Sequence, residues 1–184
     1  MWEDLYIHPA SPQESLRALA FYDALIDGMQ EAEYPLRWVK GVYPCLADLE
    51  AAIAECSLYL AESSGRVVGA FILNHKQGEG YAAVDWAYPA AEDRVAVLHL
   101  LATAPDLQGR GIGGRLLAAA RDLAAAKGDR VMRLDTLTWN VPGQKLYERF
   151  GFRWAGDVEL DYATTGKIPF RMYEIRVIAE NRLR

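Results

Sequence analysis

Residues 95–114, Val-Ala-Val-Leu-His-Leu-Leu-Ala-Thr-Ala-Pro-Asp-Leu-Gln-Gly-Arg-Gly-Ile-Gly-Gly, limit the possible folds more than any other stretch of the chain. Val95 to Ala104 is apolar on both faces, as a central strand must be. Pro105 and Asp106 make a short turn, and a glycine-rich loop then opens a helix with Ile112, Leu116, Leu117, Ala120 and Leu123 at helical spacing. Gly109, Gly111 and Gly113 leave backbone N–H groups unshielded by side chains at the positive end of that helix. Such a loop takes a phosphate or pyrophosphate without help from a lysine.

The totals narrow the partners. The 184 residues suit one domain, residues 1–184, with a full core. A net charge of -5 argues against nucleic acid, whose binding needs surplus Lys and Arg, and mildly favours a cationic or amine ligand. Cys45 and Cys56 have neither metal-ligand spacing nor a disulfide framework, which points to a reducing, cytoplasmic setting. Residues 1–8 lack a basic segment followed by an apolar one, so no secretory signal is expected. No apolar run approaches the roughly 18 residues of a membrane span.

Local signals divide the rest. A short strand is expected at Leu5 to His8. Ser11, Pro12 and Glu14 form a capping-box pattern before a helix to about Met29, with Leu16, Leu19, Ala20 and Leu25 or Ile26 as its inward stripe. A second helix is expected from Ala47 to Glu55, with Leu46, Leu49 and Ile53 inward. Strands at Ser57 to Glu62 and Val67 to Asn74 meet at the hairpin signal Ser63-Ser64-Gly65. Tyr81 to Tyr88 is a candidate sheet extension. Lys127-Gly128 ends the helix after the glycine loop, and Val131 to Thr136 is a strand. Asn140 caps a helix from Val141 to Phe150, closed by Gly151. Strands at Arg153 to Glu159 and Phe170 to Ile178 finish the chain. The expected class is α/β (α+β): a mixed central sheet of six to seven strands flanked by about four helices.

Residues 109–114 also satisfy G-x-G-x-x-G, and Asp135 lies 21 positions beyond Gly114, which imitates a dinucleotide site. In that motif the first glycine follows the strand directly; here Pro105 to Gln108 intervene, and too few β-α units remain for a doubly wound sheet. A mononucleotide P-loop is excluded because no Gly-Lys-Ser/Thr occurs.

Gln108-Gly109-Arg110-Gly111-Ile112-Gly113 resembles the Q/R-x-x-G-x-G/A signature of the GNAT superfamily of acyl-CoA-dependent N-acetyltransferases. A second match lies downstream, in Asn140 followed by Leu146-Tyr147-Glu148-Arg149-Phe150-Gly151-Phe152. The resemblance covers Ser57 to Phe152, with the flanking elements in the same order. It implies the GNAT fold, acetyl-CoA as co-substrate, no metal, and a primary amine as acceptor, either a small molecule or a peptide. Family members often dimerise, so a homodimer is among the expected partners.

The resemblance also distributes roles. The backbone N–H groups of Gln108, Gly109, Arg110, Gly111, Ile112, Gly113 and Gly114 would hold the CoA pyrophosphate, with a Cβ at the glycines blocking close approach. Leu101, Ala102 and Thr103 would pair with the pantetheine amides, and the Leu101 N–H would polarise the thioester carbonyl. Asn140 matches a pantetheine-contacting asparagine, or is a plain helix cap. Tyr147 matches the tyrosine that protonates the leaving thiolate, or is a packed tyrosine. For the base, the resemblance points to His99, which shares a strand face with Val97, Leu101 and Thr103 by two-residue alternation. Asp135 and a water relay are the other candidates. Glu31, Glu33, Tyr34, Trp38, Tyr43 and Trp86 offer charge and ring faces for a cationic acceptor, with the loop Ala163 to Pro169 nearby in the expected pocket. A non-catalytic acyl-CoA sensor is the competing function, with a nicotinamide oxidoreductase a distant third.

Overall fold

The computed structural model describes residues 4–162 and 166–177. Its seven strands run in the order β1-β2-β3-β4-β5-β7-β6, with four α-helices among the described residues. The chain divides into two compact units, residues 1–72 with 99–116, and residues 73–98 with 117–184.

In the first unit, β1 (Tyr6–Pro9) pairs antiparallel with β2 (Leu58–Ser63), and β2 with β3 (Arg66–Asn74). Ser64 and Gly65 adopt φ of 52° and 76°, the consecutive left-handed residues that match a two-residue hairpin to strand twist. Helix α1 (Ser15–Gly28) is preceded by a 3-10 turn, Pro12–Glu14. There the Glu14 carboxylate accepts from both the Ser11 amide and its hydroxyl, at 2.8 and 2.7 Å. The start of the helix is as expected; its buried face is not. Leu16 is 66% exposed and Ala20 is exposed, while Ala18, Phe21, Tyr22, Leu25 and Ile26 form the inward stripe. Both sets fit helical spacing, and the two aromatic rings, with far more area to remove from water, decide the rotation. Helix α2 (Leu46–Ala54) buries Leu49, Ala52 and Ile53, with Leu46 half-buried. These residues join Leu58, Leu60, Ala70, Ile72, Leu100, Ala102 and Ala104 in one apolar cluster.

In the second unit, the start of β4 (Val95–Thr103) pairs parallel with β5 (Val131–Leu137) from Val95↔Val131 to Leu98↔Leu134. β5 pairs antiparallel with β7 (Gly166–Arg176), and β7 with β6 (Arg153–Tyr162). These last strands exceed the expected ones: residues 166–169, read as loop, belong to β7, while residues 163–165 of that loop and Ile178 lie outside the described residues. Tyr81 to Tyr88 forms no strand; a 3-10 turn covers Glu79–Ala83. The Tyr81, Val84 and Trp86 amides bond to nearby carbonyls, and the fully buried Glu174 carboxylate accepts from the Ala87 and Tyr88 amides at 2.7 and 3.3 Å. Helix α3 (Ile112–Lys127) ends at Gly128, φ 83°, and α4 (Val141–Phe150) at Gly151, φ 108°, both left-handed caps as expected. No described helix is long and apolar enough to cross a membrane.

Candidate functional site

In the first unit the glycine loop links a 3-10 turn, Pro105–Leu107, to the first turn of α3. Arg66 holds that turn by a two-pronged contact to Asp106, at 2.7 and 2.8 Å, and these hydrogen bonds draw the Asp106 carboxyl below its ordinary value. Gly109 and Gly111 have φ of 75° and 87°, and nothing lies within 4 Å of a Cβ built on either. The left-handed backbone therefore demands glycine here before any ligand is considered. Gly114 is different: it has no positive φ and also has open space around it. Gln108 and Arg110 are exposed, Gly113 is half-buried and Ile112 is buried. The Gln108 amide donates to the Met29 sulfur at the end of α1 (3.6 Å).

The same unit holds the end of β4. Leu100, between His99 and Leu101, has a φ of 51°, a left-handed residue inside a strand, as at a β-bulge. His99, Leu101 and Thr103 nevertheless alternate in burial with their neighbours. All three are half-buried, whereas Leu100 and Ala102 are buried. The Leu100 carbonyl accepts from the hydroxyl of Tyr22, on α1, at 2.9 Å. Tyr22 has no exposed surface and meets Trp38 edge to face, 5.8 Å between centroids. Trp38 is thus packed against the core, while Glu33 is exposed and takes the Tyr34 hydroxyl, which raises the Tyr34 phenol above its ordinary value.

In the second unit Asp135 and Tyr147 interact with a residue not singled out above, Tyr81. Its hydroxyl donates to Asp135 Oδ2 at 2.7 Å. Asn140 uses both ends of its amide: Oδ1 caps α4 by accepting from the Gly143 amide (3.1 Å), and Nδ2 donates to Thr136 Oγ1 (2.8 Å). Tyr147, two turns into α4, is buried among Phe152 and Tyr173. Burial first, then the Asp135 charge, push its phenol well above the ordinary value, so it stays protonated at neutral pH. Trp86 donates to the Tyr81 carbonyl (2.8 Å), and the Arg133 guanidinium sits 4.1 Å from the Trp86 ring centroid. That ring already carries a cation from its own chain.

Among the described residues, His8, Glu14 and Glu62 bring potential ligand atoms within 4.8 Å of one another. The Arg17 guanidinium lies 3.1 Å from Glu14 and 2.8 Å from Glu62, and supplies the positive charge there.

The mixed sheet, the glycine loop opening α3 and the capped helix bearing Tyr147 define a protein of the acyl-CoA-dependent acyltransferase class. The acetyltransferase (GNAT) family model matches residues 17–152, and the chain belongs to that family. It is 33% identical over 82 residues to a mycothiol acetyltransferase of Brachybacterium faecium, a match covering 44% of the chain and 25% of that protein. With a thialysine N-epsilon-acetyltransferase of Bos taurus it shares 27% identity over 140 residues, 74% of the chain and 73% of the relative. The yncA protein of Salmonella typhimurium, solved with its cofactor acetyl-CoA, superposes with a TM-score of 0.67 at 18% identity, covering 96% of each chain.

Proposed function

We propose that this protein transfers the acetyl group of acetyl-CoA to a primary amine by direct attack within a ternary complex. The observation that carries the reading is the glycine loop: left-handed Gly109 and Gly111 at the start of α3, in a chain whose family is that of acetyltransferases. Backbone N–H groups of Gln108 to Gly114 hold the pyrophosphate, and Leu101, Ala102 and Thr103 pair with pantetheine. The Leu101 N–H polarises the thioester carbonyl as negative charge develops on its oxygen.

The neutral amine attacks that carbonyl, the C–N bond forms, and the C–S bond breaks. Tyr147, protonated at neutral pH, gives its proton to the thiolate as the C–S bond breaks, an uphill transfer that burial steepens, and the tyrosinate regains a proton from water before the next turnover. The proton lost by the amine goes to His99, directly or through water. Asp135, one of whose oxygens accepts from Tyr81, is the alternative base. Asn140 serves by fixing the start of α4, and hence the place of Tyr147. In the first unit Glu33 offers an exposed negative charge for an ammonium group, beside Tyr34.

The test is thiol release from acetyl-CoA against a panel of small and peptide amines, with the Tyr147→Phe variant beside the wild type. Amine-dependent release, with kcat reduced about a hundredfold in the variant and KM nearly unchanged, is the expected result. Acetyl-CoA binding without turnover on any amine would favour the sensor; turnover with an unaltered kcat in the variant would remove Tyr147 as the acid.

A further inference from the structure

We infer that Tyr22 is a positioning residue for acetyl transfer: through the Leu100 carbonyl it orients and strengthens the Leu101 N–H. The inference rests on the reading above in which that N–H meets the thioester carbonyl.

The argument starts from the peptide unit. The carbonyl of Leu100 and the N–H of Leu101 belong to one planar trans amide, so fixing the first fixes the direction of the second. A hydrogen bond received at the carbonyl also polarises the amide and makes its N–H a better donor. Tyr22 supplies that bond at 2.9 Å, from a side chain 78 residues away in sequence and buried at both ends of the contact.

Two features make this more than a satisfied core tyrosine. First, its acceptor is the one residue of β4 with left-handed backbone, Leu100 at φ 51°. A leucine with this backbone is strained and persists only where its surroundings hold it. Second, the ring that presents the hydroxyl has no freedom. It is fully buried and wedged edge-on between Phe21 and Trp38, at 5.2 and 5.8 Å. The donor is therefore set in place before any ligand arrives, which is the condition for electrostatic stabilisation without reorganisation.

The test reads the thioester carbonyl directly. Infrared difference spectra of bound acetyl-CoA, with and without an isotope label at the acetyl carbonyl and without amine, are recorded for the wild type and Tyr22→Phe. In the wild type the carbonyl band lies below that of free acetyl-CoA. In Tyr22→Phe it moves back toward the free position, kcat falls on the order of tenfold, and KM for acetyl-CoA stays within about twofold. A ring-fluorinated tyrosine at position 22, a stronger donor, moves the band the opposite way, and it carries the test alone if the phenylalanine variant does not fold. A lowered band that neither replacement shifts overturns the role of Tyr22 and leaves the Leu101 assignment standing. A wild-type band at the free position overturns the Leu101 assignment itself, and the inference with it.

Discussion

Glycines in the loop and in the first turn of α3 differ in what they are for, and substitution separates them. Gly111→Ala forces a Cβ onto backbone at φ 87°, which costs about 1–2 kcal/mol, so the variant should melt lower and bind acetyl-CoA poorly. Gly114→Ala meets neither a positive φ nor a neighbouring atom and replaces glycine by the best helix former, stabilising by about 0.5–1 kcal/mol. If the pyrophosphate lies against this turn, Gly114→Ala should raise the melting temperature while weakening acetyl-CoA at least about tenfold; melting curves and calorimetric titration of the same sample check both. Unchanged affinity in a more stable variant would mean that no ligand group approaches Gly114. The motif was legible from sequence, but the reason for each glycine was not, since φ is a property of the folded chain.

At the scale of elements, α4 has the most explicit chemistry. Asn140 caps it, Gly151 ends it, and a Cβ on Gly143 would stand 2.5 Å from Asn140 Nδ2. Asn140→Ala should cost about 1 kcal/mol, or about 2–4 °C in melting temperature for a chain of this size. Gly143→Ala should cost as much or more by displacing the cap. A loss confined to kcat, with stability intact, would contradict the capping role. Both ends of α4 were readable because caps are local chemistry. Three other features were hidden for one shared reason: their partners are remote in sequence. The bulge at Leu100 carries no Gly or Asn to announce it and is held by Tyr22. Residues 81–88 look like strand, but the amides of Ala87 and Tyr88 go to Glu174 of β7. Two stripes of α1 fit the helical period equally, and only the core chooses the one with Phe21 and Tyr22. Within the site the same holds: Tyr147 and the loop were found by motif, whereas Tyr81 had no signal beyond being aromatic.

For the whole molecule, the titrating groups set a pH window of stability. Hydrogen bonds from Arg66 lower Asp106, those from Arg171 lower Asp157, and those from Ser63 and Ser64 lower Asp4. Carboxyls with depressed values contribute stability that is present above their ordinary value near 4 and lost as pH falls through the folded value. Tyr22, Tyr81 and Tyr147 shift the other way, raised chiefly by burial. Their contribution is complete below the unfolded value of about 10 and is lost as pH rises toward the folded values, at about 1.4 kcal/mol per pH unit for each tyrosine. Melting temperature should therefore be nearly flat between about pH 5 and 9 and fall on both sides, more steeply on the alkaline one; a steady decline across the neutral range would contradict this assignment of groups. The family relation covers residues 17–152, and the chain spans a quarter of the length of its mycothiol acetyltransferase relative. The measurement that bears most directly on the central claim is calorimetric titration of the protein with acetyl-CoA, with NADH as control. Saturable binding of acetyl-CoA alone, with a dissociation constant on the order of micromolar, is the predicted result. Binding of NADH in its place, or of neither ligand, would contradict the assignment of the glycine loop to CoA.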